Sequence, residues 1–139
     1  MKILFICKYN AFRSRISEEY FKKINKNPKV EAISRGFIMD TDSDSEQKKL
    51  SKQLLGIDIS KRKPLPITLK DLIKSDLIIV AADDIPKIMF NYPLVNIQKK
   101  VVIWKIKDEQ RQNKENIKRI IFKIKKKVDK LNRQLEKRK

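Results

Sequence analysis

The stretch that decides the fold lies near the amino terminus and reads Ile3-Leu4-Phe5-Ile6-Cys7-Lys8-Tyr9-Asn10-Ala11-Phe12-Arg13-Ser14. Its first five residues form a short, wholly apolar run, which is typical of a strand buried in a parallel sheet. From Ser14 to Lys26 apolar residues recur four apart, which predicts an amphipathic helix that ends at Asn27-Pro28. The stretch therefore predicts a strand, a tight loop and a helix.

The rest of the chain continues this alternation. Further strands are predicted over residues 29–34, 76–82 and 101–106. Further helices are predicted from a Ser43–Glu46 capping box to Gly56, after Thr68 with Asp71, over residues 84–90, and over about 112–136. We therefore expect a single α/β domain over residues 1–139, with a four-stranded parallel sheet and helices on both faces.

The amino-acid composition excludes several kinds of catalytic and metal-binding site. The 139 residues include no histidine, one cysteine and two isolated glycines. These counts exclude a Ser-His-Asp or Cys-His pair, an imidazole metal site, an internal disulfide and a Gly-rich nucleotide loop. The longest apolar run, residues 77–82, is far shorter than the roughly 20 residues of a membrane span. We expect a cytoplasmic protein with one free thiol and no membrane partner.

The spacing of Cys7 and Arg13 predicts an anion site. A short loop between a strand end and a helix start can turn its backbone N–H groups inward, and the helix N-terminus adds partial positive charge. Arg13 can hold two phosphate oxygens, and Ser14 can donate a hydrogen bond to a Cys7 thiolate. Asn10 tolerates the left-handed conformation that such a loop needs. The predicted phosphate loop consists of Lys8, Tyr9, Asn10, Ala11, Phe12, Arg13 and Ser14.

The segment from Ile3 to Glu18 resembles the amino-terminal signature of low-molecular-weight protein tyrosine phosphatases. It equally resembles the thioredoxin-coupled arsenate reductases that share their fold. Four later segments also resemble family motifs: Ser34-Arg35-Gly36, Gly56-Ile57-Asp58-Ile59-Ser60, Ser75-Asp76-Leu77-Ile78-Ile79-Val80 and Trp104-Lys105-Ile106-Lys107-Asp108. The resemblance implies the low-molecular-weight phosphatase fold. It also implies phosphomonoester hydrolysis, above all of phosphotyrosine in proteins, through a cysteinyl phosphate and without metal or cofactor.

The resemblance assigns roles to three residues. Cys7 is the expected nucleophile, Arg13 the stabiliser of the transition state, and Asp108 the general acid and then base. Asp83 and Asp84, after the third predicted strand, are the alternatives for the acid. A phosphorylated protein or a small aryl phosphate is the expected substrate, with inorganic phosphate as product.

The chain departs from the family pattern at several positions near this site. Tyr9 stands where the loop often has Gly, and Phe12 stands where some members have a second Cys. The late Asp of the family is usually followed by Pro, whereas Glu109, Gln110 and Arg111 follow Asp108 here. Tyr9, Phe37 and Met39 are candidates for an apolar wall beside the substrate.

Two other functions remain open at this point. An arsenate reductase would need an external thiol, because Cys7 is the only cysteine. A non-catalytic module that binds anions or nucleic acid is suggested by the net charge of +18. Residues 112–139 carry 12 Lys and Arg against 3 Asp and Glu, which is +9 of that total. A solvated helix face is the favoured interpretation of these lysines.

Overall fold

The apolar run after Met1 forms a central strand of a parallel sheet. The computed structural model describes residues 1–38, 42–92, 96–108 and 113–137. Four parallel strands lie in the order β2-β1-β3-β4. Their bounds are Lys2–Cys7 for β1, Glu31–Gly36 for β2, Leu77–Val80 for β3 and Val101–Ile103 for β4. In the register, Cys7 lies opposite Gly36, and Ile6 opposite Val80.

Helices cover both faces of this sheet, as the sequence predicts. Their bounds are Arg13–Ile24 for α1, Ser45–Leu55 for α2, Leu69–Lys74 for α3 and Lys114–Glu136 for α4, with short 3₁₀ helices at Lys87–Phe90 and Gln98–Lys100. Successive side chains of β1 point to opposite faces of the sheet and therefore pack into two separate hydrophobic cores. Phe5 packs with α1, α2 and α4 on one face, whereas Leu4 packs with Leu72 of α3 and with Phe90 on the other.

Several predicted boundaries are wrong. Strand β2 begins and ends two residues later than predicted. Strand β4 ends at Ile103 instead of residue 106, because Lys105 has a φ of 54° and leaves the extended conformation. Of the helix predicted over residues 84–90, only the 3₁₀ turn Lys87–Phe90 forms.

Some of the predicted helix caps are confirmed and others are wrong. Helix α2 is capped by Asp44 with Gln47, one residue later than the predicted box, because Ser43 instead bonds to the carboxylate of Asp42. The Thr68–Asp71 cap of α3 is confirmed. Helix α4 begins at Lys114 with Asn113 as its cap, and Gln112 of the predicted range lies outside the described residues.

The strand order places one crevice at the carboxyl edge of the sheet. After β1 the chain moves to β2 on one side, and it later returns to β3 on the other side. Loops that diverge in this way leave a ligand site between them. Cys7 ends β1, Asp83 and Asp84 follow β3, and Asp108 follows β4. None of the helices in the described part of the chain is long and apolar enough to cross a membrane.

Candidate active site

The loop between β1 and α1 is shaped by two residues. Asn10 has a φ of 56°, the left-handed conformation expected of it. Gly36, at the end of β2, lies directly against this loop: a Cβ atom there would be 2.6 Å from the carbonyl carbon of Tyr9. Tyr9 itself is not among the described residues with positive φ, so the loop forms without the glycine that often stands there.

The backbone N–H groups of this loop are left free. Among the described residues, no hydrogen bond has a backbone N–H of residues 9–14 as its donor. Phe12, at the N-cap of α1, makes no side-chain cap, and the first turn of the helix carries no acidic residue. Free N–H groups at a loop and a helix N-terminus attract anions. The segment is therefore arranged as a phosphate site.

The thiol of Cys7 lies at the base of this loop. Cys7 is 3% exposed, and its Sγ is 3.0 Å from the Oγ of Ser14. The amide nitrogen of Asn10 donates a hydrogen bond to the same Oγ, at 2.8 Å. Because Ser14 already accepts from Asn10, its hydroxyl proton is available for the sulfur. The structure thus provides the contact between Cys7 and Ser14 that the sequence suggested.

Behind the loop lies a buried polar network that the sequence reasoning missed. Asn10 Nδ2 donates to the Oγ of Ser34 at 2.9 Å, and Ser34 Oγ donates to the carboxylate of Glu18 at 2.5 Å. Arg62 donates to Asn10 Oδ1 at 3.1 Å and to Glu18 Oε1 at 2.8 Å. The only available signal was a Glu four residues after Ser14, on the same face of α1.

Glu18 is the charged centre of that network. Its side chain is 4% exposed and contacts Arg62 and Lys22. Burial raises the pKa of Glu18, but hydrogen bonds from Lys22, Ser34 and Arg62 outweigh it and bring the pKa below the ordinary value. The carboxylate is therefore charged at neutral pH, and it holds Arg62 and Ser34 in place behind Asn10.

Arg15, the neighbour of Ser14, attaches a second segment to the loop. Its buried guanidinium donates to the backbone carbonyls of Ile59 and Arg62 and pairs with Asp42. These bonds tie the chain around residues 59–62 to α1. They bring the Gly56–Ser60 segment, which resembles a family motif, close to the start of α1.

Arg13 extends from the first turn of α1 toward the mouth of the loop. Its side chain is 4% exposed, and Nη1 donates to the carbonyl of Ile106 at 2.9 Å. This is the only hydrogen bond of the guanidinium within the described part of the chain. The remaining N–H groups are free to bind two oxygens of a phosphate.

Three carboxylates surround this guanidinium at nearly equal distances. Asp84 lies at 3.7 Å, Asp108 at 3.8 Å and Asp83 at 3.9 Å. The structure thus brings together all three candidates for the general acid. Distance to Arg13 does not separate them, but only Asp108 lines the pocket that contains Cys7.

That pocket has a volume of about 380 Å³. Its walls combine loop residues with carboxylates, namely Cys7, Tyr9, Ala11, Phe12, Arg13, Asp42, Asp44, Gln47 and Asp108. The exposed ammonium of Lys8 lies 5.2 Å from the ring centroid of Tyr9. Of the candidates for an apolar wall, Tyr9 lines the pocket, whereas Phe37 is not among the described lining residues and its ring packs edge-on against Phe90. Met39 and residues 109–111 lie outside the described residues.

Known proteins share this architecture. The model of the family "Low molecular weight phosphotyrosine protein phosphatase" matches residues 2–139. The low molecular weight protein tyrosine phosphatase of T. tengcongensis is 25% identical, with a TM-score of 0.84, and the match covers 96% of this chain and 99% of that one. No curated protein sequence matches significantly.

Two further solved structures widen the comparison. An arsenate reductase from Archaeoglobus fulgidus is 25% identical, with a TM-score of 0.71, over 94% of this chain and 98% of that one. An arginine phosphatase from Geobacillus stearothermophilus is 17% identical, with a TM-score of 0.84, over 99% and 94%. With the fold, the loop and a family match along nearly the whole chain, this protein belongs to the low molecular weight phosphotyrosine protein phosphatase family.

Proposed function

We propose that the protein hydrolyses phosphomonoesters, with phosphotyrosine in proteins as the substrate, through a cysteinyl-phosphate intermediate on Cys7. One observation carries the proposal. The only thiol of the chain lies 3.0 Å from the Ser14 hydroxyl, inside a loop of free N–H groups and beside the buried guanidinium of Arg13. This arrangement suits a thiolate and a phosphoryl group together.

In the first step, the Cys7 thiolate attacks phosphorus in line with the leaving oxygen. The S–P bond forms while the bond between phosphorus and the ester oxygen breaks. The loop N–H groups and Arg13 bind the three equatorial oxygens, where negative charge is spread in the transition state. Asp108, which lines the same pocket, gives its proton to the leaving oxygen.

In the second step, water hydrolyses the intermediate. Asp108, now ionised, takes a proton from the water molecule while the oxygen of that water attacks phosphorus. The S–P bond breaks, and inorganic phosphate and the Cys7 thiolate are released. Ser14 donates to the departing sulfur as charge returns to it. Because the cycle needs a reduced thiol, the proposal includes a reducing compartment, the cytoplasm.

The pocket also favours a second candidate substrate, phosphoarginine. Asp42 and Asp44 line the same pocket as the loop residues. Burial raises the pKa of Asp42, but hydrogen bonds from Ser43 and the charge of Arg15 outweigh it and lower the pKa, so Asp42 is anionic. Because Asp42 is paired with Arg15, Asp44 is the carboxylate of the two that would face a cationic leaving group. The Cys7 thiolate would attack phosphorus, the P–N bond would break, and the departing nitrogen would take the proton of Asp108.

The first experiment compares wild type with Cys7→Ser on an aryl phosphate. We expect wild-type turnover and a loss of at least about 10⁴-fold in the variant, because a serine hydroxyl is a far weaker nucleophile. Rapid acid quenching of the wild type should trap phosphate on Cys7, detected by mass spectrometry. Hydrolysis that persists in Cys7→Ser would contradict the mechanism.

The second experiment compares substrates for the wild type at equal concentrations. Phosphotyrosine and phosphoarginine peptides of the same sequence distinguish the two leaving groups. Arsenate with glutathione tests the reductase alternative. Glutathione is added because the chain has no second cysteine to supply the other thiol. Arsenate reduction without ester hydrolysis would replace the proposed function by that alternative. Salt-dependent nucleic-acid binding with no hydrolysis would favour a binding module.

A further inference from the structure

A groove of about 500 Å³ lies beside the outer face of α4, away from the loop that holds Cys7. The chain around residues 104–106 forms one wall and a stripe of α4 the other. Besides Trp104 and Ile106, its described lining residues are all cationic: Lys105, Lys123, Lys126, Lys127, Lys130 and Arg133. None of these six forms an ion pair with a described residue. Arg133 helps to lower the pKa of Asp129, but no carboxylate is among the described residues that line the groove, which therefore concentrates positive charge.

The groove and the catalytic pocket have no described lining residue in common, but one backbone segment connects them. Ile106 lines the groove, and its carbonyl accepts the hydrogen bond from Arg13 Nη1 at 2.9 Å. Two residues further along the chain, Asp108 lines the pocket. Lys105 adopts a φ of 54°, an uncommon conformation for a lysine, at the point where the chain leaves β4. A ligand in the groove thus lies against the backbone segment that anchors Arg13 and leads to Asp108.

We propose that this basic groove binds an acidic segment of the phosphorylated protein on which the enzyme acts. The proposal rests on the proposed function, since the acidic segment is part of the same substrate molecule. It assigns a substrate class to the enzyme: phosphoproteins with several Asp or Glu residues at a short distance along the chain from the phosphorylated residue.

The dimensions fit such a segment. The cationic stripe of α4 runs from Lys123 to Arg133. Ten helical residues span about 15 Å. An extended peptide rises about 3.3 Å per residue, so four or five of its residues match this length. The acidic residues do not adjoin the phosphorylated residue, because Asp44 and the ionised Asp42 line the catalytic pocket and would repel them.

The same features favour an acidic peptide over a nucleic acid. Proteins that bind single strands combine cations with aromatic faces on which bases stack. Trp104 is the only aromatic residue among those that line the groove, and its ring packs against Phe5 at 5.8 Å between centroids. Phe122, which is 48% exposed on α4, does not line the groove. The groove therefore offers many cations but, among its described lining residues, a single aromatic ring, which already packs against Phe5.

The catalytic test uses two pairs of phosphotyrosine peptides. The members of a pair differ only in a block of four residues, Glu in one and Gln in the other, which a spacer separates from the phosphorylated residue. One pair carries the block before the phosphorylated residue and the other pair carries it after. In one of the two pairs we expect kcat/KM to be about tenfold higher for the Glu peptide than for the Gln peptide, mostly through a lower KM. This difference should shrink as the salt concentration rises. A small aryl phosphate gives the baseline.

Two matched variants locate the effect. Lys126→Glu with Lys130→Glu reverses two charges in the groove, while Lys70→Glu with Lys74→Glu does so on α3, on the opposite face. Both change the net charge equally. We expect the groove variant to lose the preference for Glu and the α3 variant to keep it within about twofold. The aryl phosphate rate should stay unchanged in both, which also shows that both variants fold.

A binding test separates this inference from the proposed function. Trp104 is the only tryptophan of the chain and lines the groove. Its fluorescence should therefore change when the Glu peptide without phosphate is titrated into the protein, and not with the Gln peptide. If the aryl phosphate is not hydrolysed at all, the proposed function fails, yet this titration still shows whether the groove takes an acidic segment.

Three results would overturn the groove proposal. One is equal kcat/KM and equal fluorescence for the Glu and Gln peptides. Another is an equal loss in the groove and α3 variants, which would mean that net charge alone attracts the substrate. The third is a single-stranded oligonucleotide that binds the groove more tightly than the Glu peptide at the same salt.

Discussion

The phosphate loop and the basic groove both use positive charge, but they hold it in opposite ways. Arg13 is 4% exposed, anchored to the Ile106 carbonyl and surrounded by three aspartates. Five of the six groove cations lie on α4, Lys105 precedes it, and none of the six forms an ion pair with a described residue. Buried charge is fixed in position and weakly screened, whereas exposed charge is mobile and strongly screened. The first suits transition-state binding, and the second suits recognition of a long partner.

The largest effect in this comparison is expected at the general acid. Asp108→Asn should lower kcat for an aryl phosphate by about 10²–10⁴-fold, because the leaving oxygen departs without a proton. Binding of vanadate should change only a few-fold, since the loop amides and Arg13 remain. Steady-state kinetics and vanadate inhibition measure the two quantities. Asp83→Asn and Asp84→Asn are the matched controls, and a larger loss of kcat in either would move the acid role there.

The next effect tests the buried support of the loop. Asn10 bonds to Ser14, Ser34, Arg62 and the N–H of Leu65, and its φ is positive. Asn10→Ala should lower kcat/KM by about 10²-fold, because Ser14 and the loop amides lose their alignment. Asn10→Gly keeps the backbone freedom and loses only the side chain. Equal kinetics in Asn10→Ala and Asn10→Gly would assign the loss to hydrogen bonds, while full activity in both would show that the network does not position the loop.

A smaller effect concerns pH and stability. The pKa of Glu18 is lower in the folded chain than the ordinary value of 4.5. Its contribution is therefore fully present above pH 4.5 and is lost as pH falls through the lower folded value. Glu18→Gln should lower the free energy of unfolding by about 1–3 kcal/mol at neutral pH, and by less in acid. Urea unfolding at several pH values tests this, with the exposed Glu31→Gln as control. A constant difference across pH would contradict it.

The smallest effect is expected in the groove. Lys126→Gln should change the free energy of unfolding by less than about 0.5 kcal/mol, because an exposed lysine that pairs with no described residue contributes little to stability. Ser34→Ala, inside the buried network, should cost more than Lys126→Gln. Urea unfolding of both variants gives the comparison. A large loss of stability in Lys126→Gln would mean that the groove cations serve the fold and not a ligand.

Much of the fold follows from local patterns that the sequence displays. The apolar run to Cys7 and the stripe of α4 identify buried faces, since periodicity reflects which side chains leave water. The boundaries that were predicted wrongly depend on the backbone conformation or the side-chain hydrogen bond of a single residue. The positive φ of Lys105 ends β4, and the bond between Ser43 and Asp42 moves the cap of α2 by one residue.

The candidate site divides in a similar way. Cys7, Arg13 and Ser14 are placed by one loop, so their spacing along the chain was sufficient to predict their grouping. Arg62 reaches Asn10 across 52 positions and Glu18 across 44, and no local pattern marks such a contact. The three aspartates around Arg13 come from two different strand ends, so the sequence named them without showing that they converge.

The sequence by itself determined that one thiol ends a buried strand, that an arginine opens the next helix, and that half of the net charge of +18 lies in residues 112–139. Only the tertiary structure decided what stands behind and beside that loop. It placed Glu18 and Arg62 beneath Asn10 and set Ile106 between the catalytic pocket and the lysines of α4. The physical reason is that local propensity acts over a few residues, whereas these contacts arise when parallel strands bring distant loops to one edge of the sheet.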